Sequence, residues 1–441
     1  MRTAMYKTNL SKIRLRYLVN MLPLILLIVI YYTRIIYETM SPLLPVLLVL
    51  FWCFQSLFLK PPQKIFANKW SFLWLIYLLL GLFMVLIGLA EANVFFYISR
   101  LSFYVLPIAG YFVVNYYNRK EQLLLLVLFS IVFFVNLGWN FYLGYTFPSL
   151  FESLESTEES KQLEAIMNVA PTAYHAVCLF SIGIALMFID NFRTFISYLF
   201  SGIIIAVLFY FMISLNSRAT AIIVLLLLMI GIYIAKREPR RIRLKIYYIT
   251  RVLLVVVLGS IVVLPVLVWL VNNIDDSRLI ERFQTLVDFT SAKGNMDNIE
   301  EGSFTQRILL MQTSLETFCA NPINMMIGIG EQTNVMGVDL MKTGIGNHSE
   351  FTDVLARHGI IGAILFWNIL SFYFRWLKSL SSFRAIIKYV CVLFVIYIIY
   401  GFLNKVFQPI LLIFMFIIFP ICVIQLDYLL SKYNNYFQCK H

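Results

Sequence analysis

The sequence predicts an all-α bundle of transmembrane helices with about twelve spans. Of its 441 residues, 61% are hydrophobic and only 13% are charged. Apolar stretches near the ~20 residues that a span requires recur along the chain between short polar breaks. Because backbone amides in hydrocarbon must be hydrogen-bonded within their own segment, these stretches are predicted to be helices. The predicted spans lie near 17–36, 42–59, 70–89, 94–114, 122–142, 169–189, 195–215, 219–235, 246–271, 359–374, 388–403 and 409–428.

The basic residues predict the orientation of these spans. Lys and Arg are concentrated in loops on the cytoplasmic side of a membrane. With a cytoplasmic N-terminus, the main basic groups beside the spans fall on that same side, and both termini are cytoplasmic. The groups are Arg2 to Arg16, Lys60 to Lys69, Arg119 and Lys120, residues 236–245, Arg375 to Arg384, and Lys432 to Lys440. Topology and anionic lipid thus explain the net charge of +12, which argues against nucleic acid as a partner.

The chain divides into three predicted parts. Residues 1–271 form spans one to nine, residues 272–358 form one large extracytoplasmic loop, and residues 359–441 form spans ten to twelve with a cytoplasmic tail.

The large loop is predicted to contain an amphipathic helix at 304–319. Ser303-Phe304-Thr305-Gln306 has capping-box spacing, and Asn321-Pro322 ends the helix. Its apolar side is expected to rest on the outer mouth of the bundle, which leaves Arg307 near the bilayer surface. The apolar residues, at intervals of three and four, are Phe304, Ile308, Met311, Leu315 and Phe318.

A second helix in this loop is predicted to start at Asn347, a good N-cap residue, with Glu350 as its reciprocal capping partner. His348 then occupies the first helical position, where the positive end of the helix dipole favours the neutral imidazole. Geometry and protonation state therefore both favour His348 as a general base. Glu350 is predicted to cap its own helix, with orientation of His348 as the alternative. The helix is expected to break near His358-Gly359.

Two other features leave alternatives open. The Gly328-Ile329-Gly330 segment suits a tight turn near a ligand as well as a plain loop. Arg100 falls inside the fourth predicted span, with Glu91 nearby in sequence. An intramembrane charge of this kind is a candidate for function, whereas pairing with a carboxylate would make it structural.

Three motifs resemble those of the O-antigen polymerase and O-antigen ligase superfamily. Ser217-Arg218-Ala219-Thr220 resembles its first arginine motif, at the outer start of a span. Phe304 to Ile308, followed by Asn321-Pro322 and Gly328-Ile329-Gly330, resembles its loop motif. Asn347-His348-Ser349-Glu350, followed by Gly359 to Gly362, resembles its histidine motif. The resemblance covers roughly residues 170–375, and its strength lies in the order of the three motifs.

This resemblance implies transfer of a glycan from an undecaprenyl-pyrophosphate carrier to an acceptor hydroxyl, on the outer face of the bacterial cytoplasmic membrane. It implies that Arg218 and Arg307 bind the pyrophosphate, with Arg282 as a weaker third, and that His348 acts as the base in an inverting displacement. A flippase and a chain-length regulator are implied partners. The outer loop has no His-x-x-x-His, cysteine pair or Asp-x-Asp, so neither a metal nor another cofactor is expected.

Three functions stay under consideration. The Gly346-Asn347-His348-Ser349 sequence, followed by Asp353, is more similar to polymerases of O-antigen or capsule. The alternative is a ligase that transfers the finished polymer to lipid A core in lipopolysaccharide synthesis. About twelve spans would also suit a polysaccharide flippase or another transporter. A carrier built from two equivalent halves is not expected to place one long loop at 272–358, which argues against transport.

Overall fold

A computed structural model describes residues 14–33, 36, 40–66, 68–90, 94–146, 171–192, 195–214, 231–232, 304–332, 344–347 and 349–438. Every regular element in these residues is helical, which confirms the predicted all-α class. The helices before residue 300 are α1 Leu15–Tyr32, α2 Leu43–Leu59, α3 Pro62–Ile65, α4 Lys69–Leu86, α5 Val94–Ser99, α6 Leu101–Tyr116, α7 Arg119–Thr146, α8 Pro171–Phe192 and α9 Phe195–Ser214. Those after it are α10 Phe304–Cys319, α11 Pro322–Ile327, α12 Glu350–Ser379, α13 Arg384–Leu403, α14 Pro409–Ile413, a π-helical turn Phe414–Ile418, and α15 Phe419–Gln438.

Seven segments of the described residues are long and apolar enough to cross a membrane. They are Leu15–Tyr32, Lys69–Leu86, Val94–Tyr116, Arg119–Trp139, Glu350–Ser379, Arg384–Leu403 and Pro409–Tyr433, with shorter apolar helices at Leu43–Leu59, Ala176–Phe192 and Ser197–Leu208. Each of these ten segments coincides with a predicted span. The predicted span at 246–271, and that at 219–235 apart from residues 231 and 232, lie outside the described residues. The chain is therefore a multi-pass membrane protein, while the total of about twelve spans stays a prediction.

At one end of the bundle the termini of four helices meet around the basic residues Arg14 and Lys60. The Arg14 guanidinium lies 2.8 Å from the Glu121 carboxylate and also donates to the Tyr116 carbonyl at 2.8 Å. The Lys60 ammonium lies 5.1 Å from the centre of the Tyr116 ring, and the Tyr116 hydroxyl donates to the Lys64 carbonyl. The start of α1, the end of α2, the end of α6 and the start of α7 therefore meet here. We call this the basic end, and its position on the cytoplasmic side stays a prediction.

Helix α12 runs from the opposite end of the bundle to the basic end. Just after its C-terminus, the Ser381 hydroxyl donates to the Asp427 carboxylate at 2.7 Å. Two residues before Asp427, the Gln425 amide donates to the Arg119 carbonyl at the start of α7. The first turn of α12 lies at the far end, because the Glu350 carboxylate accepts from the Val406 and Phe407 amides just after α13. Helix α13 starts beside the C-terminus of α12 and runs about 30 Å at ~1.5 Å per residue. Helices α10 and α11 pack against that far end.

Candidate functional site at the start of helix α12

Helix α12 begins two residues later than the sequence predicts. Its N-cap is Ser349, and its first helical residue is Glu350. Asn347 has φ 56°, a left-handed conformation that an N-cap residue does not adopt. The Glu350 carboxylate accepts hydrogen bonds from the backbone amides of Val406 at 3.1 Å and Phe407 at 2.8 Å. The predicted capping box is therefore wrong, because Glu350 is bonded to a distant loop.

Helix α10 occupies the predicted range, Phe304–Cys319. It also ends as predicted, since Asn321 caps the next helix by accepting from the Asn324 amide at 2.8 Å. The side that packs on α12 differs from the predicted apolar stripe: Leu310 and Ser314 are buried, whereas Leu315 is 41% exposed. Hydrogen bonds explain why this side of α10 faces α12. The Ser314 hydroxyl donates to a carboxylate of α12 and accepts from a loop amide.

The glycine turn after α11 is docked on a kink in α12. Gly359 has φ 58° inside α12, so the predicted break near His358-Gly359 is confirmed. A kink interrupts the helical hydrogen-bond ladder, and carbonyls before it need other donors. The Ala356 carbonyl accepts from Ile329 at 2.9 Å, and the Arg357 carbonyl accepts from Gly330 at 2.8 Å. The glycines therefore serve a tight turn against the α12 backbone.

Arg357 is the centre of a buried charge cluster. Its guanidinium is only 3% exposed. Its nitrogens lie 3.3 Å from the Glu331 carboxylate, 3.6 Å from that of Glu350 and 3.7 Å from that of Asp353. Its Nη2 also donates to Asn347 Oδ1 at 2.6 Å. We call these five residues the Arg357 cluster.

The partners of Arg357 are themselves fixed by neighbouring elements. Ser314 of α10 donates to Asp353 at 2.8 Å, and the Gly346 amide donates to the Ser314 hydroxyl at 2.9 Å. From the loop after α13, the Lys405 ammonium donates to the Asn347 side-chain oxygen at 3.4 Å. The cluster thus joins α10, α12, the glycine turn and the 404–407 loop.

The electrostatics of the cluster differ between its acidic and basic members. Burial disfavours the charged form of Glu331, but the positive charges of Arg357, Arg100 and Lys405 outweigh burial and lower the pKa of Glu331 to about 2. Burial also disfavours the ammonium of Lys405 and, with the repulsion from Arg357, lowers the pKa of Lys405 to about 8. Glu331 is therefore firmly anionic at neutral pH, and Lys405 titrates close to the physiological range.

His358 lies beside the cluster but is closed off from solvent. Its ring is 2% exposed and packs edge-on against Tyr77, with ring centres 5.2 Å apart. Its Nδ1 has no hydrogen-bond partner among the described residues. A general base must reach the group whose proton it takes, so this burial makes His358 a poor candidate for a general base.

The residues predicted for the site are only partly covered by the structure. Arg218, Arg282 and His348 lie outside the described residues. Arg307 lies in the first turn of α10, and its side chain is likewise not described. The convergence of Arg218, Arg307 and His348 therefore stays a prediction.

Arg100, the intramembrane candidate, separates α5 from α6. Its guanidinium lies 4.0 Å from the centre of the Phe96 ring and 5.8 Å from that of Phe103. Glu91, its suggested partner, lies outside the described residues. Arg100 is one of the positive charges that lower the pKa of Glu331.

Sequence reasoning missed Arg357 and Lys405. Glu350, Asp353 and Arg357 are spaced by three and four residues, which would put three charges on one side of a helix that enters a membrane. That spacing was an available signal for a buried cluster. No comparable signal marks Lys405, which joins the cluster only through the tertiary structure.

A family model described as O-antigen ligase matches residues 203–367. The matched range includes the three predicted arginines, His348, α10 and the first half of α12. No curated protein matches the chain.

Proposed function

We propose that this chain is a glycosyltransferase of the O-antigen ligase and polymerase superfamily, which the match of residues 203–367 to the family model described as O-antigen ligase supports. The hydroxyl oxygen of an acceptor sugar attacks the anomeric carbon of a glycan carried on undecaprenyl pyrophosphate. The bond from that carbon to the phosphate oxygen breaks, and its electron pair leaves with the diphosphate. His348 takes the hydroxyl proton, and the new glycosidic bond forms with inversion.

One observation carries this proposal: the segment before His348 is bonded to the helix that contains Arg307. The Gly346 amide donates to the Ser314 hydroxyl at 2.9 Å. A Cβ on Gly346 would lie 2.1 Å from the Leu310 carbonyl oxygen, so the two backbones are in close contact. Ser314 follows Arg307 by seven residues, or two helical turns, which supports a location of both positions on one side of α10.

The chemistry of the donor supports arginines as its ligands. A diphosphate leaving group carries negative charge that grows as the bond to the sugar breaks. Guanidinium groups bind two oxygens at once and keep their charge at every physiological pH. Fixed cations of this kind stabilise the transition state more than the ground state. Arg218 and Arg307 are proposed for this role, with Arg282 as a third.

Within this reaction class we propose a polymerase of O-antigen or capsular polysaccharide, whose acceptor is a lipid-linked repeat unit. The short Gly346-Asn347-His348-Ser349 sequence supports this choice. The second candidate is a ligase with lipid A core as acceptor, which the description of the matched family favours. We place the site on the outer face of the bacterial cytoplasmic membrane, both termini in the cytoplasm, and the chain beside a flippase and a chain-length regulator.

Deletion of the gene distinguishes the candidate functions. Loss of a polymerase leaves surface glycan as single repeat units, whereas loss of a ligase leaves bare core and long polymer on the carrier lipid. Loss of a transporter leaves unpolymerised glycan in the cytoplasmic leaflet. Gel electrophoresis of surface glycan, with extraction of the carrier lipid, separates these outcomes.

His348→Ala tests the proposed base. General base catalysis contributes about 10²- to 10⁴-fold, so the variant is expected to insert normally and to lose nearly all product. His441→Ala, at the C-terminus, is the matched control and is expected to retain activity. Normal glycan from His348→Ala at wild-type protein levels would refute the base assignment.

A further inference from the structure

We infer that Arg357 is a positioning residue that aims His348 by holding Asn347. This inference rests on the proposed function, because it gives a role to the residue next to the proposed base. Arg357 does not contact the substrate in this account. It holds the side chain of Asn347, the residue before the proposed base.

The conformation of Asn347 is the first observation. Among the described residues, Asn347 is the only non-glycine residue with positive φ. Its φ of 56° is a left-handed conformation, which is uncommon for residues with a side chain although asparagine adopts it more readily than most. Such conformations are concentrated at functional sites, where they direct neighbouring groups. The peptide bond after Asn347 leads directly to His348.

The hydrogen bonds of Asn347 are the second observation. Arg357 Nη2 donates to Asn347 Oδ1 at 2.6 Å, and Lys405 Nζ donates to the same oxygen at 3.4 Å. The first is a short, charge-assisted bond, the stronger class of hydrogen bond. The Asn347 side-chain amide also donates to the Ile345 carbonyl at 3.3 Å. Both the oxygen and the nitrogen of the Asn347 side-chain amide are therefore hydrogen-bonded.

The rigidity of Arg357 is the third observation. A positioning group must itself be fixed, or it transmits no orientation. The three carboxylates around Arg357 lie at 3.3 to 3.7 Å. Two of them are anchored in turn: Glu350 by the amides of Val406 and Phe407, and Asp353 by the Ser314 hydroxyl. Three carboxylates therefore surround the Arg357 guanidinium, and its Nη2 donates to Asn347.

A purely structural role for Arg357 predicts different behaviour. If the cluster only holds helices together, its variants reduce the amount of folded protein and leave turnover per folded molecule unchanged. If it aims the base, turnover falls in protein that is still folded. A displacement of about 1 Å in a reacting group can cost on the order of 10²-fold in rate.

Asn347→Gly and Asn347→Asp separate the two roles at the site. Glycine accepts positive φ but removes the Oδ1 acceptor, whereas aspartate keeps that oxygen and also tolerates the left-handed conformation. We expect Asn347→Gly to lower kcat by about 10- to 100-fold with KM for the lipid-linked donor unchanged. The acid limb of its kcat against pH profile is expected to shift, because the environment of His348 changes. Asn347→Asp keeps the acceptor for Arg357 and loses only the donor to Ile345, so its loss of kcat is expected to be smaller than that of Asn347→Gly.

Arg357→Lys tests the same contact from the other side. Lysine keeps the charge but lacks the planar fork that contacts several partners at once. We expect the same loss of kcat as in Asn347→Gly, in protein that elutes normally from size exclusion in detergent. Arg375→Lys is the matched control, because Arg375 lies on the same helix near the basic end and donates to Ser371 of its own turn. It is expected to match wild type.

Defined results would overturn the inference. A kcat within twofold of wild type for Asn347→Gly or Arg357→Lys removes the positioning role, as does an equal loss for Asn347→Asp and Asn347→Gly. Losses that vanish when kcat is normalised to folded protein assign the cluster to stability alone. A fully active His348→Ala overturns the proposed base and this inference together. An inactive His348→Ala beside a wild-type Asn347→Gly overturns only the inference.

Discussion

Gly328→Ala tests how tightly the glycine turn is docked on the kink of α12. Gly328 has φ 77° and ψ −169°, a backbone conformation that is essentially restricted to glycine. A Cβ at this position would also lie 2.4 Å from the carbonyl carbon and oxygen of Arg357, and backbone atoms cannot rotate away as a side chain can. Strain of about 1–3 kcal/mol and overpacking of about 1–3 kcal/mol together predict a free energy of unfolding lower by about 2–6 kcal/mol.

Thermal unfolding of the purified protein in detergent measures this effect. At about 2 °C per kcal/mol for a large chain, the Tm of Gly328→Ala is expected to fall by about 4–12 °C. Gly138→Ala is the matched control, because Gly138 lies in helix α7 and a Cβ there would meet no atom within 4 Å. Its Tm should stay constant or rise slightly, since alanine favours helix over glycine. Equal Tm values for the two variants would refute the docked turn.

Two further predictions concern pH. The pKa of Lys405 is about 8 in the folded chain, against an ordinary value of 10.5. Between pH 8 and 10.5 the unfolded chain therefore binds more protons than the folded chain, so the free energy of unfolding should rise with pH. Lys405→Met is expected to remove that rise in urea titrations at pH 8 to 10, and an unchanged slope would contradict the burial of the ammonium. The pKa of Glu331 is about 2 against an ordinary 4.5, so its stabilising effect is complete above about pH 4.5 and is lost as the pH falls toward 2. Glu331→Gln should reduce this loss of stability at acid pH. A loss as large as that of wild type would argue against the contact with Arg357.

Local signals explain the parts of the fold that the sequence predicted. The helix at 304–319 ends where the sequence indicates, because the Asn321-Pro322 stop acts through neighbouring residues. The apolar spans are equally local, since hydropathy depends only on the segment itself. The kink at Gly359 follows from a glycine whose conformational freedom is visible in the sequence.

Tertiary contacts explain the parts that the sequence did not predict. Asn347 and Glu350 have the residue types and spacing of a capping pair, but Arg357 holds the first and the 404–407 loop holds the second. The contact between Glu350 and Val406 joins residues far apart in the chain, and no local pattern encodes it. The buried side of α10 is set in the same way, because Ser314 is drawn inward by a carboxylate on another helix.

The charges of the Arg357 cluster suit a scaffold better than a diphosphate site. Three carboxylates face one guanidinium at 3.3 to 3.7 Å, and Lys405 and Arg100 add only the positive charge that balances them. A diphosphate placed against the cluster would meet those carboxylates at close range. Cations that already have acidic neighbours would offer it little net attraction, and the repulsion between like charges in a poorly solvated place is large.

The leaving group of the proposed reaction therefore requires cations from outside the cluster. Arg218 and Arg307 belong to the matched family region and are not part of the cluster. A division of labour follows from this charge balance. The compensated cluster can be buried where α12 enters the bundle, because opposite charges offset much of the desolvation that each would suffer alone. It then fixes the segment that carries the proposed base, while the proposed ligands Arg218 and Arg307 would supply the positive charge that the diphosphate requires.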